Sequence, residues 1–403
     1  MRMMIASQTY DLVSNGQGVF AVHLARELVH SGFQVTVMMP SDQLKSYRKI
    51  EQGVQIQTIS ALSLAPLYSD VHVTPAPAFQ VAHLLDQYQP ELVHIQDHYP
   101  LCSSVVREAR KRHIPLAGTN HFLPQNMIPY VPLLSSFQST RSWLNGYLWK
   151  MVMNVFNHLD YATAPTETAA EILRRNGLRV PVRAISCGVD LERFHPDPDV
   201  DRITMRSRYH LDPHSTVFLY VGRVDREKRL DVLLEALNLI GRKNIQLAIA
   251  GHGRHLDKLR DLAQRYELSH QIVFTGFVPH EDHVPLLNSV DFFAMPSDVE
   301  LQSIATMEAM GTGLPVLAAN ARALPELVEN GVNGYLFEAG NAEDAAWCMA
   351  SMADDRNGWE RMSQASLERI EPHRMQNTVN RYIELYRSLA PAAIRQEKLQ
   401  STT

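Results

Sequence analysis

Short β-rich runs alternate with helical patterns from one end of the chain to the other, and the alternation is run through twice. In the first half MRMMIAS, QVTVMMP, VQIQTIS, LVHIQDH and IPLAGTN read as strands, separated by segments such as GVFAVHLARELVHSG whose apolar residues recur at helical spacing. A second series begins with TVFLYVGR and continues through IQLAIAGHG, IVFTGFV, DFFAMPS, LPVLAAN and GYLFEAG, with helices such as LDVLLEALNLIG and LDKLRDLAQRY between them. Strands that alternate with helices pair in parallel and bury both faces of their sheet, so the expected fold class is α/β, with two Rossmann-like doubly wound domains.

Both periodicities break at FHPDPDVDR, residues 194–202, where prolines and acidic residues cluster. The expected organisation is therefore an N-terminal domain over 1–195, a linker over 196–202 and a second domain over 203–370. A C-terminal helix over 371–390 is expected to pack back toward the first domain. The polar tail, 391–403, has nothing to bury and is expected to be disordered.

With 403 residues, 45% of them hydrophobic and 20% charged, the chain can fill two cores. Its opening MRMMIASQTYDLV is a short apolar run that reads as a buried strand rather than a signal peptide, and no run reaches membrane-spanning length. Cys102, Cys187 and Cys348 are scattered without metal-ligand spacing, which fits a reducing cytoplasm and suggests no metal site. Residues 1–195 carry 16 Lys and Arg against 14 Asp and Glu, the remainder 22 against 29, so the first half is the better suited to an anionic surface. No basic patch interleaved with aromatics points to nucleic acid.

In paired open α/β sheets, ligands bind at the C-terminal ends of the strands, and the cleft between two such domains is the default site. Four motifs fall at strand ends: SNGQGV (14–19), GRVDREK (222–228), GHG (251–253) and PSDVELQSIATMEAMG (296–311). In the last, Ser303 is a good N-cap and Gly311, Gly313 and Pro315 stop the helix. The amides near Ser303, Ile304 and Ala305 then suit a diphosphate. Glu300 in the loop could reach a hexose and Glu308 in the helix a ribose. By spacing alone, two solvated glutamates account for the pattern as well. Arg223 and Lys228 could both meet a diphosphate and stabilise a departing nucleotide, though a charged surface loop is the plain alternative. Gly16, Gly18, Gly251 and Gly253 would let backbone approach a ligand, or simply make tight turns.

Taken together, NGQGVFAVHLARELVHSGFQVTV, ISCGVDLERFHP, YVGRVDREKRLDVLLEAL, FTGFVPHEDHVPLLNSVDFFAMPS and the Glu300 to Glu308 block resemble the retaining glycosyltransferases of family 4, the group 1 enzymes with the GT-B fold. The resemblance covers nearly the whole chain. It implies that Arg223 and Lys228 bind the donor phosphates, Glu300 the hexose, Glu308 the ribose and Gly16 the donor from a glycine-rich loop. It further implies that Phe277 and Val278 meet the base and that His121, in GTNHFLP, approaches the reacting sugar in the catalytic site. His98, in QDHYP, divides evenly between packing and acceptor contact. The implied reaction retains anomeric configuration without a bound metal or other cofactor. The leaving phosphate itself takes the acceptor proton, and the sugar passes through an oxocarbenium-like state.

Gln302 and Ser303 stand where the family often has Phe-Gly, which leaves the hexose open. Cys187 replaces a frequent Asn and puts a secondary loop contact in doubt. By family frequency the donor is a UDP-hexose, with GDP-mannose or another donor on a soluble or polysaccharide acceptor as the alternative. The block TNHFLPQN resembles the branch that glycosylates diacylglycerol, so a lipid or small-molecule acceptor is expected. That branch also suggests a cytoplasmic protein peripheral on an anionic membrane. In RSWLNGYLWKMVMNVFNHL, Trp143, Leu144, Tyr147, Leu148, Met151, Val152, Val155 and Phe156 form one stripe, widened by Trp149 and Met153. Core packing is the better account of the stripe; membrane contact, helped by the basic cluster Arg107, Arg110, Lys111 and Arg112, is the other. A phosphorylase would need a longer chain and a pyridoxal-binding lysine context. A sugar-nucleotide sensor would have lost at least one of Arg223, Lys228, Glu300, Glu308 and His121.

Overall fold

The computed structural model describes residues 1–12, 15–43, 45–63, 72–126 and 138–390, so the tail from 391 and Ser14 of the first glycine loop lie outside the described residues. The chain divides into two compact units, Met1–Cys187 with Gln376–Thr403, and Gly188–Met375. The division comes before the 196–202 segment read as a linker. That segment breaks the periodicity but not the packing. Val189 N donates to His373 O at 2.9 Å, Met375 N donates to Val189 O at 2.8 Å, and Asp197 N donates to Asn288 Oδ1 at 2.8 Å.

The first unit holds β1 (Arg2–Ala6), β2 (Gln34–Pro40), β3 (Arg48–Glu51), β4 (Val54–Ile59), the two-residue pair β5 (Leu62–Ser63) and β6 (His72–Val73), β7 (Leu92–Ile95), β8 (Leu116–Thr119), β9 (Tyr161–Ala164) and β10 (Val182–Ala184). Its main sheet runs β10-β9-β8-β7-β1-β2-β4-β3, parallel throughout except at the β3–β4 edge. Between the strands lie α1 (Gly16–His30), α2 (Ala78–Tyr88), α3 (Pro100–Lys111), α4 (Gln138–Phe156) and α5 (Glu167–Arg175). Strands β7 and β8 are buried at every residue, as expected of a parallel sheet covered on both faces. Strands β3 (RKIE), β9 (YATA) and β10 (VRA) carry no run of large apolar residues, and the sequence reading passed over them.

In the second unit β11 (Thr216–Val221), β12 (Ile245–Ala250), β13 (Ile272–Gly276), β14 (Phe292–Met295), β15 (Val316–Asn320) and β16 (Gly334–Glu338) form one parallel sheet, ordered β13-β12-β11-β14-β15-β16. This is the doubly wound order with its reversal between β11 and β14. The helices are α6 (Arg202–Arg208), α7 (Leu230–Ile240), α8 (Leu256–Arg265), α9 (His280–Ser289), α10 (Ile304–Gly311), α11 (Leu324–Leu327), α12 (Ala342–Asp354) and α13 (Trp359–Ile370). In the first unit the corresponding reversal lies between β1 and β7.

The last helix, α14 (Met375–Leu389), belongs from Gln376 onward to the first unit. Its tyrosines complete a buried hydrogen-bond network beneath the strand ends. Tyr386 Oη lies 2.6 Å from His94 Nδ1, His94 Nε2 lies 2.8 Å from Thr119 Oγ1, and Thr119 Oγ1 lies 3.0 Å from Tyr382 Oη and 2.6 Å from Thr163 Oγ1. His94 is fully buried and held neutral, its pKa pushed down to about 3 by desolvation. A neutral imidazole can accept at one nitrogen and donate at the other, as this chain requires.

The apolar stripe of α4 is split by its packing. Leu144, Leu148, Trp149, Val152, Met153, Val155 and Phe156 are buried, whereas Trp143, Tyr147 and Met151 are exposed, the first two at 63% and 50%. The stripe is wider than the surface it covers, so its leading edge faces outward. The neighbouring basic cluster is not a free patch. Arg112 grips Asp86 with two bonds of 2.7 and 2.9 Å, and the buried Glu108 carboxylate receives Lys111 at 2.7 Å and Arg112 at 3.2 Å.

Candidate donor and acceptor sites

In the second unit the loops that leave β11 and β14, at the reversal of strand order, are stitched together. Lys228 Nζ lies 2.5 Å from Glu300 Oε1, and Ser297 Oγ donates to Glu227 O at 3.4 Å. Glu300 O also accepts from Ala323 N at 3.3 Å, which fixes the loop from its other side. Arg223 is held by two carboxylates, Asp225 Oδ2 at 2.6 Å and Glu227 Oε1 at 3.1 Å, while its side chain stays 46% exposed. The fully buried Tyr220 donates to Arg223 O at 2.7 Å and sets the backbone there. Sequence reasoning found the two cations and missed Asp225 and Glu227, whose i+2 and i+4 spacing from Arg223 was the available signal.

Ser303 caps α10: its Oγ accepts from Thr306 N at 3.2 Å and from Thr306 Oγ1 at 2.8 Å. Met307 N bonds to Ser303 O, and the amides of Ile304 and Ala305 have no acceptor among the described residues. These two N–H groups, at the positive end of the helix, are suited to an anion. Glu300, with Lys228 bonded to it, stands three residues ahead of the cap.

Glu308 stands one turn into α10, with its side chain 17% exposed. Desolvation pushes its carboxyl up to about 8 against the opposing pull of Arg193. His283 Nε2 lies 3.8 Å from Glu308 Oε2, and burial, with the charges of Arg193 and His280, takes that imidazole down to about 4. At neutral pH neither group carries charge, so the two do not form an ion pair. Arg193 itself donates to His280 O at 3.2 Å and lies 4.8 Å above the Phe194 ring. Gly311 lets the Arg193 loop approach α10, because a Cβ there would fall 2.7 Å from Phe194 O.

The glycines read as ligand approaches serve the chain first. A Cβ on Gly251, whose φ is +144°, would fall 1.9 Å from Gly222 O, and its amide is taken by Gly276 O at 2.8 Å. On Gly253 a Cβ would meet Val224 O at 2.2 Å. His252 Nε2 accepts from Phe277 N at 3.0 Å, which leaves the Phe277 ring, 59% exposed, projecting beside Val278 at the start of α9. In the first unit Gly16 opens α1 in an exposed position, but Gly18 is buried, its amide is capped by Asn15 Oδ1 at 2.9 Å and its Cβ position lies 2.9 Å from Asp11 O. Gly18 is thus not a free donor, since the cap and the Asp11 backbone occupy it.

At the ends of β7 and β8 the first unit gathers Gln96, Asp97, His98, Asn120 and His121. Strand register sets Ile95 beside Gly118, so these residues follow on neighbouring strands. His121 Nε2 lies 3.1 Å from Gln96 Oε1, its ring packs 5.0 Å from Phe20, and desolvation pushes its pKa down to about 3. His98 is buried between Tyr99 and Phe122, each ring 4.7 Å away, with Nδ1 unpartnered. Gln96 Nε2 and Asn120 Oδ1 are also buried without partners. Asp97 is saturated instead, accepting from Gln8 N, Tyr99 N and Gln17 Nε2. Three buried polar atoms at adjacent strand ends are thus left without a protein partner, a state that costs about 1–3 kcal/mol each when nothing else meets them. Sequence reading found two of the residues gathered here, His98 and His121.

Residues 14–193 match the family model described as Glycosyltransferase Family 4, and residues 201–369 match the one described as Glycosyl transferases group 1. The chain is 25% identical over 313 residues to sulfoquinovosyl transferase SQD2 of Arabidopsis thaliana, covering 76% of this chain but only 58% of that protein. It is 23% identical over 341 residues to alpha-monoglucosyldiacylglycerol synthase of Streptococcus pneumoniae, covering 84% and 75%. To a GDP-mannose-dependent alpha-mannosyltransferase of Corynebacterium glutamicum it is 24% identical over 379 residues, covering 92% and 85%. Among solved structures, sucrose-phosphate synthase of Thermosynechococcus elongatus matches with a TM-score of 0.79 at 18% identity, covering 97% of this chain and 100% of that one. Anabaena HepE in complex with UDP and glucose matches with a TM-score of 0.77 at 18% identity, covering 96% and 100%. At such identities the likeness shows a shared fold.

Proposed function

The chain belongs to the group 1 glycosyltransferases, with the two-domain GT-B fold, and from that premise we propose that it transfers a hexose from a nucleotide sugar, with retention and without a metal, to a lipid acceptor. The Lys228–Glu300 pair beside the Ser303-capped helix carries this reading. A diphosphate on the Ile304 and Ala305 amides meets Lys228 and Arg223, and the hexose beyond it meets Glu300. Glu308 takes the ribose, and Phe277 and Val278 take the base. UDP is the proposed nucleotide.

Bond cleavage leaves charge on the diphosphate, which the two cations and the helix end would stabilise. A protein nucleophile is not needed if a leaving phosphate oxygen accepts the proton of the incoming hydroxyl on the same face. In the first unit, His121 is the residue proposed to act on the transferred hexose. His98, with Gln96 and Asn120, is proposed for the acceptor's hydroxyls. A neutral His121 serves as a hydrogen-bond partner rather than a counter-ion.

The proposed acceptor is diacylglycerol or a related lipid, by analogy with the streptococcal relative. No helix among the described residues is long and apolar enough to cross a membrane. Peripheral contact is proposed through the exposed edge of α4, where Trp143 and Tyr147 stack at 5.6 Å next to Lys150. The test is a panel of UDP- and GDP-sugars, with and without diacylglycerol vesicles and with and without chelator, read as released nucleoside diphosphate. The expected result is lipid-stimulated, chelator-insensitive release from a UDP-hexose. GDP-mannose as the active donor would move the reading to the alternative, and absence of release from every donor would sink it.

A further inference from the structure

We propose that His283 is a second hydroxyl-binding side chain beside Glu308, and that the ribose diol of the bound nucleotide bridges the two; this rests on the reading of the second unit as the nucleotide-sugar site. The buried Nε2 of His283 has no hydrogen-bond partner. Its separation from Glu308 Oε2, 3.8 Å, is too long for a direct bond yet short enough for one oxygen to reach both atoms. A buried ring nitrogen left unmet is costly, and a polar oxygen lying to one side of the pair would meet it.

The placement of the two residues says what that group is. His283 stands one turn into α9, the helix that follows Phe277 and Val278, while Glu308 stands one turn into α10, the helix whose first amides face the anion site. The two side chains thus approach each other from the base end and the phosphate end, and a ribose is the part of a nucleotide that lies between those ends. A hydroxyl also fits the electrostatics. Both groups are neutral near pH 7, and a hydroxyl can donate to one while accepting from the other, whichever imidazole tautomer is present. The ring is held for the task, since Phe194 meets it edge-on at 5.6 Å. The remaining nearby charge, Arg193, is engaged with His280.

The full chain would be titrated calorimetrically with UDP and GDP, and with the 2′-deoxy and 3′-deoxy forms of whichever binds. His283→Leu is expected to weaken the ribonucleotide about tenfold. It should leave at least one deoxy form within twofold of its native affinity, so that discrimination between ribo and deoxy forms collapses. His283→Gln, which keeps an N–H, is expected to restore part of the loss and guards against a folding defect in the leucine variant. Unchanged ribonucleotide affinity in His283→Leu overturns the proposal, as do equal losses for ribo and deoxy forms in both variants. Failure of the native chain to bind either diphosphate overturns the donor-site reading instead, and the role of His283 falls with it.

Discussion

Lys228 Nζ lies 2.5 Å from Glu300 Oε1, so the cation proposed for the diphosphate and the carboxylate proposed for the hexose hold each other in place before any donor arrives. A lysine has three donors, so two remain for phosphate oxygens. Replacing Lys228 with Ala removes a preoriented cation and is expected to lower kcat by about 10²–10³-fold. It also leaves Glu300 uncompensated, close to where the diphosphate binds. Adding Glu300→Gln to Lys228→Ala is therefore expected to recover nucleotide affinity but not kcat. Steady-state kinetics and nucleotide titration of the two single variants and the double variant check this, and strictly additive losses would show the pair uncoupled.

At Glu308 the site and stability oppose each other. Its carboxyl is raised from 4.5 to about 8 in the folded chain, chiefly by desolvation. The folded state then binds this proton more tightly than the unfolded one. That contribution is fully present below pH 4.5 and is lost as pH rises through 8. Glu308→Gln cannot ionise, so it is expected to melt like the native chain at pH 5 and several degrees higher at pH 9. The corresponding stabilisation is on the order of 2–4 kcal/mol. Nucleotide affinity should fall in the same variant. Thermal unfolding at the two pH values decides the matter; an equal shift at both, or none at pH 9, would mean that Glu308 ionises freely in the fold.

Much of this was legible in the sequence, for identifiable reasons. Every strand expected from an apolar run is present, because parallel strands buried on both faces read as continuous hydrophobic segments, and Ser303 caps its helix as its residue type predicts. Strands β9 (YATA) and β10 (VRA) were not legible, since neither carries a run of large apolar side chains. The linker was misread because Pro196 and Pro198 interrupt a pattern without interrupting contact: Phe194 and Asp197 are anchored to the second unit. At the site, the residues carried by the motifs were found, Glu308 within its helix among them, while their polar neighbours Asp225, Glu227, Gln96 and Asn120 were not. His283 looks like one polar residue among several in PHEDHVP until its unmet Nε2 is seen next to Glu308. Gly18 and Gly251 carried a true signal of close approach, but the approaching group is the chain's own backbone.

His121 and Gln96 give a prediction about pH. Desolvation pushes His121 down to about 3, so it is neutral across the range in which the enzyme would be assayed. His121→Asn should therefore lower kcat/KM by a similar factor at every pH between 5 and 7. An NMR titration of the His121 ring should show no midpoint above pH 5. Gln96 Oε1, 3.1 Å from His121 Nε2, fixes the ring, so Gln96→Leu is expected to lower kcat about tenfold with KM for the donor nearly unchanged. A His121 midpoint near 6.5 would show that the ring is solvated and that Gln96 does not orient it.

The exposed edge of α4 separates membrane contact from core packing. Trp143 and Tyr147 are 63% and 50% exposed and stack on each other, while the buried side of the same helix carries Leu144, Leu148 and Val152. Converting both aromatics to Ser removes apolar, ring-shaped surface suited to a bilayer interface and takes nothing from the core. The double variant is expected to keep the native melting temperature and nucleotide affinity. The fraction sedimenting with anionic vesicles at low salt should fall several-fold, and turnover of vesicle-borne diacylglycerol should fall with it. Because Arg112 and Lys111 are already paired with Asp86 and Glu108, charge reversal there should change sedimentation less than loss of the two rings. If the ranking came out reversed, the contact would be electrostatic and would lie on α3 rather than on α4.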